Sequence, residues 1–533
     1  MLKTFAFAAL ATLAIGSAHA ADDFAKRATD ATQPLQLNLA PDGSPTPSDL
    51  TLDTNFSATG MRALWAPNQD GWSNTEDGVG VFPWDGVGTL PGPPPVTTNV
   101  HKGYYVVGKQ KNTAGDAWRV WITRVDLGGI TDTTFGTDGW IYGGAQGEIV
   151  DVAVSRPYAF ILSNMSAGAA TRVACIDLST PTGNSCFTGF AGLLTWGVSA
   201  SGPRTAAYGQ RLIYDARYGL FVAARIMNTT RGQEVGVARI SAGSGALIPQ
   251  FNGDGYYFGL PAWAPASGAE VKVNALAVTP YGYAGTPHLY VGGQMKRDVA
   301  GDHDGFILGL APATGVVSPD WDWRAFYYEN DNTGYKKDAI TALAPLRNGK
   351  VAFAGWSETD DANLRPMIMG RVNSNGGFDA NFCKGNSNRG PYGCMVEHNI
   401  DEFYKPDSQP VALAERAQNR DLVVAMRSKN NGSMPPTNVI TRMEQYSADG
   451  NRVHAALDVD YAGGAGVTRW SRPFGMWMGH TGQWIGGVDG TGEEVIAVVG
   501  TRLYSGTDFD ATLIHLKATD SIFADAFGGG GGD

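Results

Sequence analysis

The chain is short of charge, of cysteine, of long apolar runs and of recognisable catalytic motifs, and each shortage narrows what it does. Only 17% of its 533 residues are charged, and acids outnumber bases by 51 to 40. The formal net charge of −11, and the lack of any Lys/Arg-rich run, argue against nucleic acid or an anionic membrane surface as partner. No apolar run beyond the N-terminus approaches spanning length, so membrane insertion is not expected. No amphipathic helical stretch stands out, which sets aside an α/β fold. No Gly-x-Ser-x-Gly, His-Glu-x-x-His, Walker-type loop or dinucleotide fingerprint occurs, so no catalytic residue is assigned. The histidines outside the first twenty residues (His101, His288, His303, His398, His454, His480 and His515) are scattered.

The four cysteines form two local pairs, Cys175 with Cys186 and Cys383 with Cys394. In an exported chain such pairs read as short-range disulfides stapling surface turns. A zinc site is the alternative, and no Cys-x-x-Cys spacing supports it.

What is present begins with an address. Lys3, the apolar run Phe5 to Ile15 and Ala18-His19-Ala20 have the order of a cleaved secretory signal over residues 1–20. Its removal takes one lysine and leaves the mature charge near −12, that is, about one unit more acidic. A secreted or periplasmic, monomeric protein is expected. Residues 21–50, polar and rich in Ser-Pro-Thr-Pro, read as a flexible leader, and residues 528–533 as a glycine-rich tail.

Between them glycine is abundant, 71 residues in all, which suits turn-rich β structure. The stretch Val120 to Gly139 holds the pattern in its clearest form: an alternating strand, the turn Gly128-Gly129, then Asp132 and, three residues on, Phe135. The same step recurs at Asp53/Phe56, Asp320/Trp323, Asp379/Phe382 and Asp458/Tyr461, and Phe190, Phe251 and Phe527 keep the aromatic without the acid. Arg124, Arg239, Arg371 and Arg442 stand near the ends of the preceding strands. The anchors repeat about every 67 residues, with three or four short strands per interval, which is the period of a β-propeller. The fold expected over residues 51–527 is therefore all-β: a single propeller of seven blades, its ring closed by pairing N- and C-terminal segments.

Strand, then Asp-x-x-Phe-Gly-x-x-Gly, as in Val120 to Gly139 and again in Met369 to Phe382, resembles the delta-60 repeat of bacterial exported proteins. That resemblance implies a propeller-like fold and brings no catalytic residues.

Two loops, Asp302-His303-Asp304-Gly305 and Glu329 to Gly334, space oxygen ligands beside a glycine, as calcium requires. Asp302, Asp304 and Asp331 are the metal candidates, with ordinary polar turns as the alternative. No cofactor is expected otherwise. Two stretches rich in aromatics, Trp65, Trp72 and Trp84 in the first unit and Arg469, Trp470 and Trp477 in the last, read as insertions that ring closure would place side by side. They offer stacking surfaces and donors for a glycan or peptide; gap-filling between blades is the plainer alternative. Two functions follow: a non-catalytic binding or scaffold module for a glycan, peptide or protein, or a propeller hydrolase or lyase with a central-channel site, calcium-dependent or not.

Overall fold

The computed structural model describes residues 36–39, 50–53, 55–57 and 61–64 and most of the chain from 72 to 518. Residues 1–35, 40–49, 65–71, 91–95, 327–336, 397–406, 430–438, 452–456, 461–470, 485–493 and 519–533, with some shorter stretches, lie outside the described residues. The expected signal, the glycine tail and the anchors Phe190, Tyr461 and Phe527 fall there.

The chain is a seven-bladed β-propeller. Blade 1 consists of Trp72–Leu90, Val96–Asn112, Trp118–Asp126 and Trp140–Ala145. Blade 2 has Glu148–Ser155, Tyr158–Asn164, Thr171–Asp177 and Leu193–Leu194. Blade 3 has Arg204–Asp215, Gly219–Asn228, Gly232–Ile240 and Tyr256–Gly259. Blade 4 has Val271–Val278, Leu289–Lys296, His303–Leu310 and Arg324–Phe326. Blade 5 has Asp338–Pro345, Val351–Ser357, Met367–Val372 and Gly393–Val396, edged by Arg389–Gly390. Blade 6 has Asp407–Glu415, Leu422–Lys429, Val439–Tyr446 and Leu457–Asp460. Gln36–Leu39, inside the stretch read as leader, pairs with its last strand. Blade 7 has Ser471–His480, Glu494–Ser505 and Asp508–Ala518, and the N-terminal strands Leu50–Leu52 and Met61–Leu64 pair antiparallel with Asp508–Ala518. The first strand of each blade lies against the first strand of the next, and that of blade 7 against that of blade 1.

The core follows from period two. Successive side chains of a strand point to opposite sheet faces, so Tyr104 and Val106 pack toward blade 7 while Tyr105 and Val107 pack toward blade 2. Seven apolar clusters result, one in each seam between successive blades.

Every first strand carries a bulge where it pairs with the second: between Gly78 and Gly80, Ile149 and Asp151, Gly209 and Arg211, Val273 and Ala275, Ile340 and Ala342, Pro410 and Ala412, and Pro473 and Gly475. A bulge leaves backbone groups unpaired and re-aims the strand. Side chains of adjacent blades take those groups up. Lys109 donates to the Ile149 carbonyl at 3.2 Å, Asp151 accepts from the Leu212 N–H at 2.8 Å, Gln210 accepts from the Val273 N–H at 2.7 Å, and Asn274 donates to the Ile340 carbonyl at 3.1 Å. Arg211 donates to the Asn274 carbonyl. Burial pushes the Asp151 carboxyl upward, partly offset by Arg211.

The Asp-x-x-aromatic step is a turn with a second function between blades. The Asp N–H donates to a third-strand carbonyl: Asp53 to His515, Asp132 to Arg124, Asp379 to Arg371, at 2.8–3.0 Å. Its carboxylate accepts the N–H two residues on and meets the third-strand side chain, Arg124 and Arg371 as ion pairs and His515 as an imidazole contact. In blade 5, burial would raise the Asp379 carboxyl, yet Lys350, the Asn381 N–H and Arg371 hold it down at about 2. The aromatic is buried, and the residue after it adopts the left-handed region: Ser57, Gly136, Asn252 and Cys383, with φ of 49–59°. The N–H of Ser57 then donates to Gly128 (3.0 Å), that of Asn252 to Thr314 (2.6 Å) and that of Cys383 to Asp449 (2.6 Å). Each acceptor belongs to the next blade and stands just before a glycine of positive φ: Gly129, Gly315 and Gly450.

Several sequence expectations are corrected. In blade 4 the turn is Ser318 to Trp321, not Asp320/Trp323: the Trp321 N–H donates to Ser318, whose own N–H donates to Gly309, and Trp321 is the fully buried ring. Ser318 stands in the acid's place, and Pro319 opens the 3-10 turn Pro319–Trp321. Asp458 lies in the strand Leu457–Asp460, where it pairs with Arg442, not in a turn. The stretches around Trp72–Trp84 and Trp477 are not insertions but the first strands of blades 1 and 7. Their glycines allow close approach to neighbouring strands: a Cβ on Gly78 would overlap Val499 and Gly500. Cys175 and Cys186 are joined. Cys383 is also disulfide-bonded; the side chain of Cys394 lies outside the described ones.

Gly376 has φ +75°, and a Cβ there would run into the Asp320 carbonyl of the preceding blade, whereas Gly253 has φ +90° with open space around it. Gly253→Ala should cost about 1–2 kcal/mol for its handedness alone. Gly376→Ala should cost at least ~1 kcal/mol more, which urea unfolding of the two variants measures; equal losses would contradict the blade-to-blade contact.

Candidate functional site at the seam of the last and first blades

The tryptophans singled out from sequence do not share one face. Trp72 and Trp84 lie toward opposite ends of one strand. Trp72 and Tyr142 sandwich the buried Arg119, each ring about 4.5 Å from the guanidinium, and Arg119 donates to Gln110 at 2.7 Å. Trp84 and Phe135 sandwich Arg124 at 4.4 and 4.6 Å. Both are cation–π contacts within blade 1. Trp65, Arg469 and Trp470 lie outside the described residues.

Trp84 also packs against the cluster between blades 1 and 2, and Trp477 belongs to the seam of blades 7 and 1. Its ring stacks on His101 of blade 1 at 4.8 Å and meets Tyr104 edge-on at 5.6 Å. His101 and Tyr104 are three apart and would normally face opposite ways. A bulge at Lys102, where Trp84 pairs with Gly103 and Asp85 with His101, puts both toward blade 7. Across blade 7, Trp477 pairs with Ala497 and Ala497 with His515, so the tryptophan and the histidine stand in one cross-strand row.

A continuous cluster results. Asp85 Oδ1 lies 3.1 Å from His101 Nδ1. Tyr104 contacts both His101 (5.1 Å) and His515 (5.5 Å). His515 stacks on Phe56 at 4.9 Å, its Nδ1 is 3.0 Å from Asp53 Oδ2, and Lys517 Nζ is 3.4 Å from Asp53 Oδ1. His101, Tyr104, His515 and Asp53 are buried, whereas the Asp85 side chain is 39% exposed and Trp477 half-buried. The cluster therefore reaches from solvent to the core. Burial pushes the His515 imidazole down to about 4; Asp53 opposes the shift, and His101 and Lys517 add to it. Burial and the charge of Asp53 push the Tyr104 hydroxyl well above its ordinary range.

Among the described residues, His101 Nε2, His515 Nε2 and the Tyr104 hydroxyl have no hydrogen-bond partner. An imidazole oriented by a carboxylate is the arrangement of a general base, and a half-buried indole beside a carboxylate is one of a stacking ligand site. The seam holds both.

The metal candidates are placed elsewhere. Asp302 accepts the Arg297 N–H in the hairpin of blade 4, and Asp304, buried, faces Arg297 at 3.5 Å. His303 lies 3.4 Å from Glu270. Among the described residues no three His, Cys, Asp or Glu side chains converge as a metal site; Asp331 lies outside them.

An unpartnered buried hydroxyl costs about 1–3 kcal/mol. Tyr104→Phe is therefore expected to raise the melting temperature, read by calorimetry; a lowered one would mean that the hydroxyl holds a bound group.

No protein-family model matches the chain, and no curated protein matches it. Among solved structures it is similar to the Dos1 propeller (9% identity, TM-score 0.39, 77% of this chain and 90% of that one). It is also similar to the β-propeller domain of the Trilobed protease from Pyrococcus furiosus (7%, 0.35, 79% and 95%). A third is the α-L-arabinanase of Penicillium chrysogenum complexed with arabinobiose (9%, 0.34, 69% and 93%). At these values the likeness concerns propeller architecture alone.

Proposed function

We propose that the protein is an exported binding module of the delta-60 repeat kind, whose ligand, a glycan or a peptide with a flat apolar face, docks at the seam of blades 7 and 1. The observation that carries this reading is Trp477. It is half-buried and stacks across the seam on His101, the imidazole whose Nδ1 lies 3.1 Å from the partly exposed carboxylate of Asp85. Stacking on an indole with a fixed acceptor nearby is how such ligands are held. The ring supports it mechanically, because the polar side chains at the bulges of blades 2 to 4 bind the backbone of the adjacent blade. The Cys175–Cys186 disulfide is compatible with export, and no helix of the described residues is long and apolar enough to cross a membrane.

A second reading, a hydrolase or lyase, is favoured by one feature: Asp85 orients His101, whose Nε2 is unpartnered beside Tyr104. It moves the catalytic site from the central channel to the same seam.

The test is a screen of the mature protein on glycan and peptide arrays, followed by titration of hits through tryptophan fluorescence. Trp477→Ala should weaken the best hit at least tenfold and Asp85→Asn several-fold, while Trp72→Ala leaves it unchanged. Full affinity in Trp477→Ala would remove the site from the seam. Release of reducing or unsaturated ends from a polysaccharide hit, abolished in His101→Gln, would establish the second reading in place of the first.

A further inference from the structure

Among the described residues the same Asp–turn–aromatic unit is built three times with a side chain of the third strand on its carboxylate, and one copy differs. In blades 1 and 5 that side chain is arginine: Arg124 on Asp132 and Arg371 on Asp379. Arg371 also donates to the Ala448 carbonyl in the hairpin of blade 6, and Arg239, at the same place in blade 3, donates to Ala313 of blade 4 at 2.8 Å. In blade 7, where the N-terminal segment meets the C-terminal strand, the position is His515. Arginine stays charged at any pH a protein meets; histidine does not.

We propose that the Asp53–His515 pair is an acid-sensitive latch: proton uptake by His515 releases the strands Leu50–Leu52 and Met61–Leu64 from blade 7, while the arginine-based units stay shut.

The surroundings set the direction. Asp53, the one anion against His515 among the described residues, is already shared with Lys517 at 3.4 Å. From blade 1 the facing groups are His101 and the Tyr104 hydroxyl, with Asp85 behind His101; from blade 7 the first strand presents Trp477, which carries no charge. A proton on His515 would place a second cation on one carboxylate among buried side chains, beside another imidazole. Burial accordingly holds His515 at about 4, below its ordinary 6.5. The released segment takes up protons at the higher value. The latch is complete above about 6.5 and loosens as pH falls from there through about 4. This inference does not depend on what the seam binds.

Hydrogen exchange of the full mature chain at pH 7.5 and 4.5, corrected for intrinsic rates, tests it. Protection of peptides covering 50–64 should fall on the order of fifty-fold relative to those covering 367–382, the Arg371–Asp379 unit, as proton linkage requires at pH 4.5. In His515→Gln, which keeps a polar group near Asp53 and does not titrate, the ratio should be the same at both pH values. Equal loss in 50–64 and 367–382 of the wild type would overturn the latch, and so would a pH-dependent loss that persists in His515→Gln. Where the variant fails to fold, the wild-type ratio alone decides.

Discussion

A backbone N–H that leaves one blade and ends on the next blade's turn carbonyl fixes how the blades meet at three seams of the ring. Each such bond contributes only about 0.5–1.5 kcal/mol net, so its importance lies in geometry. The donor sits on a left-handed residue after a buried aromatic, and the acceptor precedes a left-handed glycine. A Cβ on Gly315 would press on Phe251, and one on Gly450 would overlap Phe382. Ring, turn and glycine therefore fit together in the same way at three seams, those of blades 7 and 1, 3 and 4, and 5 and 6. The seven apolar clusters could tolerate some sliding of sheet on sheet; these contacts do not.

That unit was legible in the sequence because it is local. Asp132 and Phe135, or Asp379 and Phe382, are close neighbours that explain one another through a single turn. The number of blades followed from their spacing. The failures have a common cause in backbone irregularity. First strands are hard to read from pattern because the bulge flips the alternation: in blade 4, Val271 and Val273 keep one phase and Leu276 the other. In blade 1 the glycines that permit close packing made a strand look like a loop. In blade 4 the acid of the turn is a serine, and an unrelated Asp-x-x-Trp two residues on took its place in the pattern.

The seam of blades 7 and 1 was legible only in outline. Neighbouring first and last units followed from the ring, and Trp477 was in view. His101, Tyr104 and His515 were not, since what unites them is a bulge at Lys102 and a cross-strand row through Ala497. Neither leaves a mark in a single sequence. The cluster combines a half-buried rim, Asp85 and Trp477, with a buried interior of two imidazoles and a phenol. An aromatic rim suits recognition, and buried titratable groups suit a response to the medium.

The pairing of Asp53 with His515 also orders events in time. The strands Leu50–Leu52 and Met61–Leu64 leave the ribosome more than 400 residues before their partner Asp508–Ala518. Blades 2 to 5 are each built from consecutive segments and need no such wait. Contacts of this sequence separation form late, because a long loop must close before they contribute. The folding chain should pass through an arc of nearly finished blades whose two ends are still unpaired strand edges, the form most open to pairing with a second copy.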